Sequence, residues 1–169
     1  ITQCDFEIFP DGMTIFDLAR ANSVLTNGDS TMITQFYLNT SDALNNQNEQ
    51  NTIFNNTVNP QILTVKIINP LTGCYSLTSL TLNVSLNPTT IVTLQNCDDN
   101  VEDGIATFNL ADAGFETNGD SVSYYYNTND ALMEQSPITT NQFSEQNIYV
   151  RVENGNDCIG IHIIQLEVS

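Results

Sequence analysis

The sequence predicts an all-β protein made of two tandem immunoglobulin-like antiparallel β-sandwich domains, residues 1–87 and 88–169. Three observations carry this expectation. The chain repeats itself, its apolar residues alternate in short runs between turn signals, and each repeat has a cysteine near either end. The repeat is read in matched segments. Cys4-Asp5 returns as Cys97-Asp98, Asp11-Gly12 as Asp103-Gly104, and Asn27-Gly28-Asp29-Ser30 as Asn118-Gly119-Asp120-Ser121. Asp42-Ala43-Leu44 returns as Asp130-Ala131-Leu132, and Cys74 as Cys158. The spacing between matched pairs shortens along the chain, as expected for small deletions in loops between two folded units.

The elements follow in order. Thr14-Ile15-Phe16 and Ala106 to Leu110 are short extended runs after Asp-Gly turns. Ile33 to Leu38 and Val122 to Tyr126 are rich in β-branched and aromatic residues. Ser41 to Leu44 and Asn129 to Leu132 read as single capped helical turns, with Thr40 or Asn127-Thr128 as caps. Leu63 to Ile67 and Ile148 to Val152 alternate with period two, which points Val65, Ile67, Val150 and Val152 inward and Lys66 and Arg151 to water. Leu80 to Val84 and Ile164 to Val168 close the two units. Leu77 and Ile161 break the alternation of these last strands, so a bulge is expected near Thr78 and His162. About seven strands per unit are expected for such a sandwich.

Units of about 80 residues bury limited apolar surface and often need a covalent staple. Their equivalent cysteines are expected to pair within each unit, Cys4 with Cys74 and Cys97 with Cys158. Each bond would close a loop of roughly 60–70 residues, worth about 4 kcal/mol in the chain-entropy treatment. Disulfides place the chain in an oxidising compartment, outside the cell or at its surface.

Twenty acids face three bases, for a net charge of −17. Nucleic acid is excluded as a partner, because phosphate binding needs clustered Lys and Arg. No apolar run is long enough for a membrane-spanning helix, and an anionic bilayer would repel the chain. Asp98, Asp99, Glu102 and Asp103 crowd one loop. Their oxygens suit Ca²⁺, a hard cation that takes carboxylate and carbonyl ligands. The first unit keeps Asp5, Glu7 and Asp11 there. The one histidine, His162, is unrepeated and reads as an ordinary surface residue. No catalytic residue is expected, since no nucleophile has a repeated base beside it.

The succession Cys-Asp, Asp-Gly, Phe-Asp-Leu, an aromatic strand ending in Asn-Thr-x-Asp-Ala, Ile-Tyr-Val-Arg-Val, Cys and a closing Leu-x-Val resembles the repeat modules of large type IX-secreted surface adhesins of gliding Bacteroidota. The resemblance covers both units, and the second matches better. It implies a non-enzymatic, extracellular, structural or adhesive module of a larger cell-surface protein. It also implies O-glycosylation at Asp-Ser/Thr triplets, which here would fall on Ser30 and Ser121.

Partners are expected to be neighbouring repeats of the same chain, identical subunits, or surface glycans. One alternative is a filament subunit completed by strand exchange, because Thr89 to Thr93 have no counterpart before Ile1. The other is an accessory carbohydrate-binding module, with a ring of Tyr124-Tyr125-Tyr126 or of Phe36-Tyr37-Leu38 facing outward to stack on sugar, although packing is the favoured role of these triplets.

Overall fold

Each run of alternating apolar residues forms a strand, and the two repeats lay their strands down in the same order. The structure, a computed structural model, describes residues 1–98, 102–117, 119–155 and 157–169. The first repeat supplies β1 (Thr2–Cys4), β2 (Ile15–Asp17), β3 (Ile33–Tyr37), β4 (Ile53–Asn55), β5 (Gln61–Ile68) and β6 (Tyr75–Ser85). The second supplies β7 (Ile91–Asn96), β8 (Ala106–Thr107), β9 (Ser121–Tyr125), β10 (Gln142–Phe143), β11 (Gln146–Asn154) and β12 (Asp157–Val168). The strands build two tandem β-sandwiches. In each, a four-stranded sheet, β1-β6-β5-β3 or β7-β12-β11-β9, faces a two-stranded one, β2-β4 or β8-β10.

Six strands per repeat are seen among the described residues, against about seven expected for such a sandwich. The reason lies after β2 and β8, where the chain curls into 3-10 turns over Leu18–Ala21 and Leu110–Ala113. Asp17 starts the first of these by accepting the Ala19 amide at 3.0 Å. A short helix α1 (Asn22–Leu25) follows it.

Two compact units result. One comprises Ile1–Gln3 and Met13–Val84, the other Cys4–Gly12 and Ser85–Ser169. The opening loop of the first repeat therefore belongs to the second unit. The core of the first unit gathers Phe16, Phe36, Phe54, Leu63, Val65 and Leu82 between its sheets. Phe108, Phe143, Ile148, Val150, Ile164 and Leu166 do the same in the second. The even-numbered inward set of β6 and β12 is thus as the alternation requires. A bulge is present only in the second unit, and it falls at Ile159, upstream of His162, which pairs in register with Val150. There the register shifts opposite Val152/Glu153 and leaves Ile159 unpaired. The pairing of β5 with β6 runs without a shift from Gln61↔Leu82 to Ile68↔Tyr75.

Lys66 and Arg151 depart furthest from the alternation rule, for both are buried, at 5% and 1% exposure. They do leave the sandwich interior on the outer face of the sheet, but a helical turn covers them there. That turn is α2 (Thr40–Asn45) in the first unit and α3 (Thr128–Met133) in the second. Asn39 and Asn127 cap the turns, each accepting the amide of the Asp three residues on, at 2.9 and 2.8 Å. Ala43 and Ala131 are fully buried, and their small side chains let the turns sit low on the sheet. Lys66 Nζ donates to the Ala43 carbonyl at 3.1 Å and to Asn46 Oδ1 at 2.7 Å, and lies 4.2 Å from the centre of the Tyr75 ring. Arg151 Nη1 donates to the Ala131 carbonyl at 3.1 Å, while its other nitrogens reach Glu134 and Glu153 at 2.8–2.9 Å.

Two predictions follow from these contacts. Replacing Arg151 by Met strands two carboxylates and a carbonyl, and breaking a buried ion pair in this way destabilises by about 3 kcal/mol. Lys66→Met strands a carbonyl and an amide oxygen instead, so it is expected to be the milder change of the two. Urea unfolding of both variants reads the order, and a reversed order contradicts the assignment of partners.

The second prediction concerns pH. His162 stacks on Phe115 at 4.7 Å between centroids and accepts the Thr90 amide at Nδ1, 3.2 Å away. Burial lowers its pKa below the usual 6.5. The unfolded chain therefore takes up the proton first, and the stability held above about pH 6.5 is lost as pH falls through the folded value. Wild type should lose melting temperature relative to His162→Gln between pH 7.5 and pH 5. Parallel curves for the two proteins would contradict this.

Candidate functional site

The sulfur chemistry does not follow the expected pairing. Cys4 is bonded to Cys158, with Cα atoms 5.3 Å apart, and Cys74 and Cys97 are free and exposed. The pairs Cys4–Cys74 and Cys97–Cys158 are therefore corrected. The bond joins the opening loop of the first repeat to the closing strand of the second, inside one compact unit.

Local structure explains how these two residues meet. The Ile159 bulge turns Cys158 onto the outer face of β12, the face that carries Ile161. Cys4 enters at the end of β1 and is held there by its loop. The Asp5 amide donates to the Ser85 carbonyl, and Asp5 Oδ2 accepts the Gly12 amide at 2.8 Å. Gly12 has φ of 80°, a left-handed conformation that favours glycine. The Glu7 carbonyl accepts the Thr89 amide at 3.0 Å, and the Thr89 hydroxyl donates to the Ile161 carbonyl. The bonded cysteines sit in an apolar cluster with Tyr125, Ala131 and Ile161. Phe6 closes it edge-on against Tyr149, with centroids 5.5 Å apart. Both sulfurs are dry, at 0% and 2% residue exposure.

This cluster also changes the reading of the aromatic strands. Tyr37 and Tyr125 are buried at 1% and 3%, beneath the face that α2 and α3 cover, so neither is an outward stacking ring. Burial pushes the Tyr125 phenol pKa up. Tyr126 is the exposed ring of its triplet, at 49%.

Of the acidic loop in the second repeat, Asp99 lies outside the described residues. Asp98 Oδ2 accepts the Gly104 amide at 2.7 Å, and Asp103 Oδ1 accepts the Ile105 amide at 3.0 Å. Glu102 is exposed. The described acids whose oxygens come within 4.8 Å of one another are Asp5, Glu7 and Asp11, in the equivalent loop of the first repeat. Ser30 and Ser121 are both exposed, but in different settings. Ser30 sits in a turn where Asp29 Oδ1 accepts both the amide and the hydroxyl of Thr31, while Ser121 opens β9. The bonds to Thr31 lower the Asp29 pKa.

The true pairing had a signal in the sequence. Bonds within each repeat would give the two late cysteines similar surroundings. The chain instead has Cys-Ile-Gly-Ile at 158–161 and Cys-Tyr-Ser-Leu at 74–77, one apolar and one mixed. The early cysteines differ in the same way, Phe6 standing where the second repeat has Asp99.

No curated protein matches the chain. One family model does, twice: that of the Flavobacterium inter-domain disulphide bond domain, over residues 1–89 and again over residues 93–169. With both halves matched, and with a disulfide joining the start of the first repeat to the end of the second, the chain belongs to the Flavobacterium inter-domain disulphide bond domain family as two consecutive copies.

Proposed function

We propose that the chain is a non-enzymatic extracellular module of a larger surface protein, serving as a covalently braced spacer with an adhesive face. The carrying observation is the Cys4–Cys158 bond, which spans 154 residues of sequence and nearly the whole tandem pair. A bond of that span persists in an oxidising compartment. It contributes about 5 kcal/mol in the chain-entropy treatment. Solvated carboxylates at a net charge of −17 keep such a module soluble and turn away nucleic acid and anionic membranes. Type IX secretion, a role in gliding and glycosylation at Ser30 and Ser121 belong to the same reading.

A double variant, Cys4→Ser with Cys158→Ser, tests the bracing. Chemical denaturation should show a loss of several kcal/mol from the second unit, and an unchanged unfolding midpoint removes the bracing role. Adhesion is tested separately, with beads coated in the oxidised chain. They should adhere to glycan-coated surfaces well above albumin-coated beads, and equal adhesion leaves a spacer alone.

Calcium at the acidic opening loops is part of the proposal. A divalent cation beside Asp5, Glu7 and Asp11, or beside Asp98, Asp99, Glu102 and Asp103, would relieve repulsion where the carboxylates are densest. Binding to the folded state alone must raise the melting temperature in millimolar calcium over chelator. Identical melting curves in the two conditions remove calcium from the account.

A further inference from the structure

The two main sheets present unequal edges. In the second unit the free side of β12 is covered along most of its length. β7 pairs parallel with it from Ile163↔Ile91 to Val168↔Asn96. Residues 85–90 continue the cover upstream. The Ser85 hydroxyl and the Asn87 side-chain amide donate to the Ile159 carbonyl, and the Thr89 hydroxyl donates to that of Ile161 at 3.0 Å. The Ile163 amide donates to the Thr90 carbonyl at 2.9 Å.

β6 has the same edge, filled only toward its C-terminal end. The Asn83 amide donates to the Ile1 carbonyl at 3.0 Å, and the Ile1 amino group donates to the Thr81 carbonyl at 3.0 Å. One residue bonding two positions that lie two apart marks a parallel pair. In the repeat Ile1 stands where Leu94 does and Leu82 where Leu166 does, so the register is that of β7 on β12. Odd-numbered residues of β6 therefore point their amides and carbonyls to this side, and even-numbered ones point theirs to β5. Tyr75, Leu77 and Ser79 match Ile159, Ile161 and Ile163. Among the described residues the three-residue β1 is the one strand on this side, and it stops short of them. Ser76 and Ser79 are exposed and Leu77 is half-buried, whereas Gly160 and Ile161 are buried and Ile163 is half-buried.

We infer that residues 75–79 of β6 are a docking edge for an extended, uncharged segment of the same chemistry as residues 86–92, carried by another module and laid parallel to β6. The source of that strand rests on the proposed function, but the pairing does not, so the two can fail separately.

Continuity is the first reason for this occupant. The register that β1 begins extends upstream without interruption, because β6 pairs with β5 without a bulge. Composition is the second. Residues 75–81, Tyr-Ser-Leu-Thr-Ser-Leu-Thr, contain no charge and no proline. Charges, prolines and bulges are what keep an exposed edge from recruiting strands, and this one has none of them. The opposite edge of the sheet, β3, is shielded by a bridge from Gln50 to Phe36. Electrostatics is the third. A chain of net charge −17 repels an acidic strand, while residues 86–92, Leu-Asn-Pro-Thr-Thr-Ile-Val, carry no charge. Their Asn87 and Thr89 side chains supply the donors that outward carbonyls accept in the second unit. An intact second copy does not offer this segment, because its own is already bonded to β12.

The test adds a synthetic peptide with the sequence of residues 86–92 to the full chain, with Cys4–Cys158 intact, and follows amide exchange by NMR. At saturating peptide the Leu77 and Ser79 amides should exchange about tenfold more slowly, while those of Thr78 and Leu80, already bonded to β5, stay unchanged. The register directs the Val92 amide of the peptide to the Ser79 carbonyl, so a peptide N-methylated at Val92 should lose the effect. Unchanged exchange at Leu77 and Ser79 overturns the inference, as does equal protection by the N-methylated peptide. Protection confined to β3 overturns it too. Slowing of the same amides when the chain is concentrated without peptide would mean that a second copy fills the edge, and that result overturns the assignment of the occupant.

Discussion

A cation buried on the outer face of each main sheet is the constraint from which much of both units follows. Charge on a dry surface is tolerated only when it is surrounded by acceptors. Lys66 and Arg151 meet this demand by pulling a helical turn down over themselves, using the Ala43 and Ala131 carbonyls that the turn leaves free. The residue ending each turn then supplies another oxygen. Asn46 and Glu134 both adopt left-handed backbone, with φ of 52° and 54°, and both direct their side chains to the cation. Tyr37 and Tyr125 are buried on that face for the same reason. A sheet expected to be antiparallel with one wet side is covered on both, and in the second unit it is mixed, with β7 running parallel to β12.

Most of the architecture could be read from the repeat and from period-two alternation. The positions of β3, β5, β6 and their partners β9, β11 and β12 follow directly, as do the even-numbered core residues Leu80, Leu82, Ile164 and Leu166. Alternation misplaced Lys66 and Arg151 because it assigns a face but not what covers that face. The first turn's cap fell on Asn39, one residue earlier than Thr40, because an Asn carbonyl oxygen reaches the amide three residues on, while Asn127 caps the second turn as one of its two candidates. The disulfide was the largest error. Equivalent placement of cysteines in tandem repeats is satisfied equally by bonds within a repeat and by bonds across consecutive ones. Only the unequal neighbours, Ile159 against Tyr75 and Phe6 against Asp99, separate the two patterns.

The repeats of the sequence and the compact units of the structure are offset from one another. Cys4–Gly12 comes early in the first repeat yet folds with Ser85–Ser169. The three-residue β1 carries the chain from Gln3, in one unit, to Cys4, in the other. A repeat boundary drawn by sequence similarity therefore cuts through a folded body, and a recombinant fragment cut there would lose both the loop and its sulfur.

The closed covalent ring has a mechanical meaning. When tension is applied at Ile1 and Ser169, force entering at Cys4 crosses to Cys158 through the sulfur–sulfur bond. The residues between them are shunted out of the load path. Their hydrogen bonds can break and reform without lengthening the tether, and only the residues outside the ring, 1–3 and 159–169, can add length before sulfur chemistry gives way.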